Sequence, residues 1–140
     1  MPPRPAASAI VIHENRLLLV RRARPPAADL YAFPGGKVER GETPDMAALR
    51  ELKEETGLDG LSAELFAEYD LPPEPGGPPE HHFFLSVFCV DVRGDPQTAC
   101  ASSDAAGLGW FSLKELNDLP VPPSVSDCVE RLAQARKVIE

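Results

Sequence analysis

Residues 36–58 read GKVERGETPDMAALRELKEETGL, and this stretch decides the fold because it encodes a helix with clear ends beside a glycine-rich turn. Thr43 precedes a proline and an aspartate, which together are a good helix start: a hydroxyl N-cap, a proline at the first helical position and an acid near the positive end of the dipole. Gly57 supplies the left-handed residue that commonly ends a helix. The sequence therefore predicts a helix over residues 44–56.

Three glutamates lie on one side of this predicted helix. At about 100° per residue, Glu51, Glu54 and Glu55 fall within roughly one quadrant. The neighbouring core-facing stripe contains Ala48, Leu49, Leu52 and Thr56. Like charges at these spacings repel each other, and acids in a last turn face the negative end of the helix dipole. The spacing alone leaves two interpretations: a solvated acidic face partly neutralised by Arg50 and Lys53, or a site for a hard divalent cation.

The wider pattern distinguishes the two interpretations. Five residues separate Gly36 from Glu42, seven more lead to Arg50-Glu51-Leu52-Lys53-Glu54-Glu55, and Thr56-Gly57-Leu58 follow. The arrangement resembles the Nudix box, Gly-x5-Glu-x7-Arg-Glu-apolar-x-Glu-Glu-x-Gly-apolar, at every specified position. The segment from Phe33 to Glu39 and the later strand that contains Trp110 extend the resemblance to most of the chain.

The resemblance implies a fold and a reaction. The fold is α/β (of the α+β type): an α/β/α sandwich with a mixed β-sheet between helices, in a single domain over residues 8–140. Family members use Mg²⁺ (or Mn²⁺) and an attacking water to hydrolyse a nucleoside diphosphate linked to another group. Metal ions among phosphate oxygens neutralise developing charge and activate water, as cleavage of a phosphoanhydride requires. The chain is therefore expected to be a Nudix pyrophosphohydrolase.

The resemblance also implies roles for residues of the box. Glu51, Glu54 and Glu55 are expected to hold the metal together with the backbone carbonyl of Gly36. Arg50 is expected to orient these glutamates, a role that suits its spacing of one helical turn from Glu54. The general base is one of the three glutamates or a carboxylate outside the box.

Other site residues are predicted around the box. Glu42 is expected either to support the loop or assist the metal site, or else to be exposed to solvent. Asp104 lies in the loop where several relatives place an extra glutamate that binds metal or acts as base; simple solvation is the alternative. The expected substrate-binding residues are Arg22, with Arg21 and Arg24 as alternatives, and Phe33, Gly35 and Gly36. The two glycines are expected to adopt backbone angles that larger residues disfavour.

Three functions stay open at this point. The resemblance is strongest to short bacterial proteins often labelled ADP-ribose pyrophosphatases, which implies cleavage of ADP-ribose to AMP and ribose 5-phosphate. The box also resembles that of MutT-like enzymes, which cleave oxidised nucleoside triphosphates. Some family members are catalytically silent nucleotide-binding sensors, but these usually lack one or more box glutamates, and this chain keeps all of them.

Composition narrows the class of protein and its partners. The chain has 140 residues with 43% hydrophobic and 26% charged residues, which suits one globular domain. A net charge of −8 argues against a nucleic acid partner. Three widely spaced cysteines fit a reducing, cytoplasmic location, and no apolar run is long enough to cross a membrane. The expected partner is a small nucleotide, and exposed strand edges are compatible with a homodimer.

The remaining elements are predicted from short apolar runs. Residues 1–7 contain three prolines and are expected to form a flexible tail. Strands are predicted at Ser8–His13, Leu17–Arg22, Leu30–Phe33, Leu61–Tyr69, His82–Val92 and Gly109–Phe111, with a helical turn or two at Leu113–Leu119 and a C-terminal helix at Ser126–Ile139.

Overall fold

Eight strands and three α-helices are present in residues 2–23, 28–102 and 105–140, which are the residues that the computed structural model describes. The strands are β1 (Arg4–Ile10), β2 (Ile12–His13), β3 (Arg16–Arg22), β4 (Tyr31–Ala32), β5 (Gly35–Lys37), β6 (Gly60–Leu71), β7 (Phe83–Val92) and β8 (Ala105–Phe111). The helices are α1 (Pro44–Thr56), α2 (Leu113–Leu116) and α3 (Pro123–Gln134). None of these helices is long and apolar enough to cross a bilayer.

The strands form two sheets of four. The first has the order β5-β1-β7-β6, and it is mixed because β1 runs parallel to β7 whereas its other pairs are antiparallel. The second is built around β3, which pairs antiparallel with β2, β4 and β8. The predicted mixed α/β architecture is confirmed.

Side chains alternate along the strands between two hydrophobic cores. On β3, Leu17 and Leu19 enter one core and Leu18 enters the other, as expected when both faces of a strand are covered. The core that contains Leu18 also holds the buried face of α1, formed by Ala47, Ala48 and Leu52. The opposite core receives Val125, Cys128 and Leu132 from α3. Helices therefore cover the strands from both sides.

Helix α1 confirms the local signals of the sequence. It begins at Pro44, ends at Thr56 and is followed by Gly57 at φ 80°, whose N–H donates to the Lys53 carbonyl at 2.9 Å. Thr43 lies at the N-cap position, but its side chain caps no helix N–H. It hydrogen-bonds the carboxylate of Asp45 instead, which lowers the pKa of that group.

The prediction of a flexible tail over residues 1–7 is wrong, because β1 begins at Arg4. The Arg4 N–H donates to the His82 carbonyl at 2.8 Å, and the Pro5 carbonyl accepts from Val38 N–H at 3.0 Å. The backbone N–H and C=O groups of successive residues in a strand point alternately to the neighbours on either side. Those of Pro5 point toward β5, near the end of its short pairing with β1, so the N–H that proline lacks would have faced β5 and not β7. The proline removes one hydrogen bond there and leaves the pairing with β7 intact.

The predicted strand Ser8–His13 is divided between the two sheets as β1 and β2. The hairpin that follows is confirmed: β2 pairs with β3, and both turn residues, Glu14 and Asn15, have positive φ (49° and 62°). At the C-terminus, α3 ends at Gln134 because Arg136 adopts a left-handed φ of 58°, a helix stop without the usual glycine. The helix also begins earlier than predicted, with a proline at its first position.

Candidate active site

Two glycines of β5 bring the backbone against α1 and β1. A Cβ atom on Gly36 would lie 2.7 Å from Cδ of Glu51, and one on Gly35 would lie 2.4 Å from the carbonyl oxygen of Ala7. Neither glycine is among the described residues with positive φ. The expectation about unusual backbone angles is therefore wrong. At Gly35 a side chain would collide with the backbone of β1, whereas at Gly36 it would displace the end of the Glu51 side chain.

Arg50 and Glu42 form a two-point ion pair that fixes the loop before α1. Arg50 Nε donates to Glu42 Oε2 at 2.7 Å and Nη2 donates to Oε1 at 2.9 Å, while Nη2 also reaches the Lys37 carbonyl at 3.0 Å. Only 12% of the Glu42 side chain is exposed. Hydrogen bonds from Arg50, and then from the Glu39 N–H, lower the pKa of Glu42 to about 2, and the pair raises the pKa of Arg50. Glu42 therefore supports the loop and is not exposed to solvent.

The same guanidinium binds two of the predicted metal ligands. Arg50 Nη1 donates to Glu51 Oε1 at 2.8 Å and to Glu54 Oε2 at 3.2 Å, so the Arg50–Glu54 contact expected from the helix spacing is confirmed. The Glu39 carboxylate lies 3.6 Å from the same nitrogen. Arg50 therefore forms ion pairs with carboxylates of the loop before α1 and of α1 itself.

Glu55 lies apart from this network, against the glycine turn. Its Oε2 accepts a hydrogen bond from the Gly35 N–H at 2.9 Å. Burial raises the pKa of Glu55 to about 7, the charges of Glu51 and Glu54 add to the increase, and the Gly35 N–H and Arg22 oppose it. A buried carboxylate beside two like charges is the environment that a bound divalent cation stabilises.

The donor groups suit a hard divalent cation, although the described residues contain no ready-made cluster of three acidic, histidine or cysteine ligands. The three glutamates do not form such a cluster because Glu51 and Glu54 accept hydrogen bonds from Arg50, whereas Glu55 accepts one from the Gly35 N–H. Of the three carboxylates, that of Glu51 lies directly over the backbone of Gly36, where a Cβ atom would be only 2.7–2.9 Å from its atoms. Oxygen donors of this kind fit Mg²⁺ or Mn²⁺.

Replacing Glu55 by Gln is expected to stabilise the protein in the absence of divalent cations. The native state holds a proton on Glu55 up to about pH 7, whereas the ordinary value is 4.5, so the native state binds more protons and loses stability as the pH rises through that interval. The neutral amide removes this penalty and keeps an acceptor for the Gly35 N–H. We expect a gain of about 1–3 kcal/mol at pH 8 and none at pH 4.

The measurement is urea unfolding in EDTA at both pH values, with Glu130→Gln on α3 as a charge-matched control. An equal gain at pH 4 and pH 8 would show that the ionisation of Glu55 is not its cause.

A cavity of about 150 Å³ adjoins Glu55. Its lining residues are Val20, Arg21, Arg22, Ala23, Glu55, Ser102 and Ala105. Arg22 therefore lies beside the candidate site, as expected for a phosphate contact. A second cavity of about 350 Å³ lies between α2 and α3. None of its lining residues is titratable, and none belongs to the candidate active site.

The remaining predicted site residues are Phe33, Asp104 and Arg24, and only Phe33 is among the described residues. Phe33 is 5% exposed and packs in the core with α3, so its position gives no support to a contact with substrate. Asp104 and Arg24 lie outside the described residues.

The backbone before β8 reaches the end of α1, where Ser102 N–H donates to the Glu55 carbonyl at 3.0 Å. Sequence reasoning missed that contact and the position of Glu39 beside Arg50.

Comparisons with known proteins identify the family to which the chain belongs. A family model described as the NUDIX domain matches residues 2–132. The ADP-ribose pyrophosphatase of Methanocaldococcus jannaschii is 37% identical over 118 residues, which are 84% of this chain and 65% of that protein. The 8-oxo-dGTP diphosphatase of Escherichia coli is 32% identical over 131 residues, covering 90% of this chain and 93% of that protein.

Solved structures of similar fold include proteins described as a NUDIX hydrolase and as MutT. The MutT NUDIX hydrolase from Burkholderia pseudomallei has a TM-score of 0.83 and 28% identity, covering 94% of this chain and 99% of that one. A MutT protein from Methanosarcina mazei has a TM-score of 0.80 and 26% identity, covering 97% and 96%. With the complete box over residues 36–58 and the family model extending over nearly the whole sequence, the chain belongs to the Nudix hydrolase family.

Proposed function

We propose that this chain hydrolyses a diphosphate linkage in a nucleoside diphosphate derivative and that it requires Mg²⁺ or Mn²⁺. The supporting observation is that Glu51, Glu54 and Glu55 share one side of α1 beside the glycine turn: Glu51 lies against the Gly36 backbone, Glu55 accepts from the Gly35 N–H, and Arg50 holds two of the three carboxylates. An acidic helix end that only faced solvent would not need a half-buried glutamate or a glycine without room for a side chain.

Each residue has a role in this proposal. Glu51, Glu54, Glu55 and the Gly36 carbonyl hold the cation, which when bound supplies an activated water and neutralises charge on the phosphates. Arg50 orients the glutamates. Arg22 contacts phosphate. One of the three glutamates, or Asp104, accepts the proton of the attacking water.

ADP-ribose is the first substrate that we propose, giving AMP and ribose 5-phosphate. The support is the archaeal relative named ADP-ribose pyrophosphatase, at 37% identity. This chain spans only 65% of that protein and 44% of a mouse ADP-sugar pyrophosphatase that it also matches.

An oxidised nucleoside triphosphate is the second candidate substrate. Its support is the Escherichia coli 8-oxo-dGTP diphosphatase, which aligns with this chain over nine-tenths or more of both proteins. A catalytically silent sensor is the third alternative, and the complete set of box glutamates argues against it.

Product analysis distinguishes the three functions. The protein is incubated with Mg²⁺ or Mn²⁺ and, separately, with ADP-ribose, 8-oxo-dGTP, the ordinary dNTPs and a nucleotide sugar, and the products are separated by ion-exchange chromatography. We expect AMP and ribose 5-phosphate from ADP-ribose. Monophosphate and pyrophosphate from a triphosphate alone would favour the second candidate, and absence of turnover with either metal would favour the sensor.

A further inference from the structure

The segment that leads into β8 is tied to the last turn of α1. Cys100 N–H donates to the Thr56 carbonyl at 3.0 Å, and Ser102 N–H donates to the Glu55 carbonyl at 3.0 Å. Carbonyl oxygens in the last turn of a helix have no partner within the helix itself, so these two bonds satisfy groups that need one. The Ser102 carbonyl accepts from Ala105 N–H at 3.2 Å. The main chain of Ser102 is therefore fixed relative to Glu55.

The hydroxyl of Ser102 is available for a ligand. Its Oγ forms no hydrogen bond with any of the described residues. Within that part of the chain, the side-chain polar atom that is both buried and unpartnered is the Oγ of Ser8, so Ser102 Oγ is accessible. Ser102 lines the cavity of about 150 Å³ together with Arg22 and Glu55. Because its main chain is already fixed, this hydroxyl can donate to a ligand at a small cost in conformational entropy.

The size and the charges of this cavity suit one phosphoryl group. Pockets that enclose a whole small-molecule ligand usually measure roughly 300–1,000 Å³. A cavity of about 150 Å³ therefore suits one part of a nucleotide. Arg21 and Arg22 both line it and favour an anion. Arg21 also pairs with Asp29 at 3.1 Å, whereas Arg22 is near enough to Glu55 to act against the rise in the pKa of that carboxyl.

We propose that the Ser102 hydroxyl donates a hydrogen bond to a phosphate oxygen of the substrate in the cavity that Arg22 and Glu55 also line. Ser102 is then a substrate-binding residue outside the box. The inference rests on the proposed function, because it takes the bound phosphate to belong to the substrate of that reaction. The phosphate oxygen is charged before and during the reaction, so loss of the hydroxyl is expected to raise KM and to leave kcat nearly unchanged.

The test is steady-state hydrolysis of ADP-ribose and of 8-oxo-dGTP at saturating Mg²⁺ by the unmodified protein and by Ser102→Ala. For the nucleotide that is cleaved, we expect KM to rise about tenfold, the effect of one hydrogen bond to a charged group. Alanine keeps the main-chain N–H that binds Glu55, so the melting temperature is expected to stay unchanged. Ser126→Ala on α3 is the matched control and is expected to leave kcat and KM unchanged.

A second variant, Ser102→Thr, tests whether the hydroxyl itself is responsible. Threonine keeps the hydroxyl, so KM is expected to stay close to that of the unmodified protein. An unchanged KM in Ser102→Ala would overturn the proposal. A KM in Ser102→Thr as high as in Ser102→Ala would also overturn it, because the presence of the hydroxyl would then make no difference.

Nucleotide binding to the Glu54→Gln protein separates this inference from the proposed function, because that variant is expected to bind the nucleotide almost without turnover. The Kd values for ADP-ribose and 8-oxo-dGTP are measured by calorimetry with and without Ser102→Ala, and a rise of about tenfold is expected for the substrate. If the unmodified protein hydrolyses neither nucleotide while Ser102→Ala weakens binding, the proposed function fails and the phosphate contact stands. If hydrolysis occurs and neither KM nor Kd changes, only the role of Ser102 is refuted. If neither nucleotide is bound or hydrolysed, both fail.

Discussion

Glu54→Gln is expected to lower kcat by about 10²- to 10⁴-fold while the protein stays folded. Glu54 lies on the last turn of α1, and its side chain is 57% exposed. The amide has nearly the same shape, so packing is retained, but it lacks the charge that a divalent cation requires. Its contact with Arg50 Nη1 is expected to weaken only slightly in energy because the pair is partly solvated.

The measurement is steady-state turnover of ADP-ribose and 8-oxo-dGTP at saturating Mg²⁺, with far-ultraviolet circular dichroism as the check on folding. Glu130→Gln on α3 makes the same chemical change away from the site and is expected to retain full activity. Retention of activity by a folded Glu54→Gln protein would remove Glu54 from the catalytic site.

Gly36→Ala is expected to lower kcat/KM by about 10²-fold, because displacing a reacting group by about 1 Å has effects of that size. The added Cβ would meet the Glu51 carboxylate at 2.7–2.9 Å. The obstruction is the end of a flexible side chain, so the fold can persist while Glu51 is pushed away from the site. Affinity for Mn²⁺ is expected to fall as well.

Gly107→Ala on β8 is the matched control for this substitution. Its Cβ would meet nothing closer than the Arg21 Cβ at 4.0 Å, so activity is expected to be retained. If Gly36→Ala were as active as Gly107→Ala, the close approach of β5 to Glu51 would have no part in catalysis.

The helix and its glutamates could be predicted because their signals are local. Proline at the first position and Gly57 after the last define α1, and the spacing of Glu51, Glu54 and Glu55 alone places them on one side of it. The pairing of Arg4–Ala7 with β7 could not be predicted in this way, since the effect of Pro5 depends on which neighbour its missing N–H faces.

The arrangement of the site depends on contacts between distant segments. Glu55 is buried where α1 meets β5. Which of the four nearby carboxylates Arg50 contacts depends on the path of the loop from Glu39 to Glu42. No periodicity in the sequence encodes these distances. Phe33 shows the same limitation: the motif favoured a substrate contact, whereas the fold places its ring in the core.

Dependence on a divalent cation is the central claim, and hydrolysis by metal-stripped protein tests it most directly. The protein is treated with EDTA, dialysed, and followed by phosphorus NMR with ADP-ribose and with 8-oxo-dGTP before and after addition of Mg²⁺ or Mn²⁺. We expect no hydrolysis before addition and cleavage of the diphosphate linkage of one of the two nucleotides afterwards. Equal hydrolysis without the cation, or none with it in a folded protein, would contradict the assignment of Glu51, Glu54 and Glu55 as a catalytic metal site.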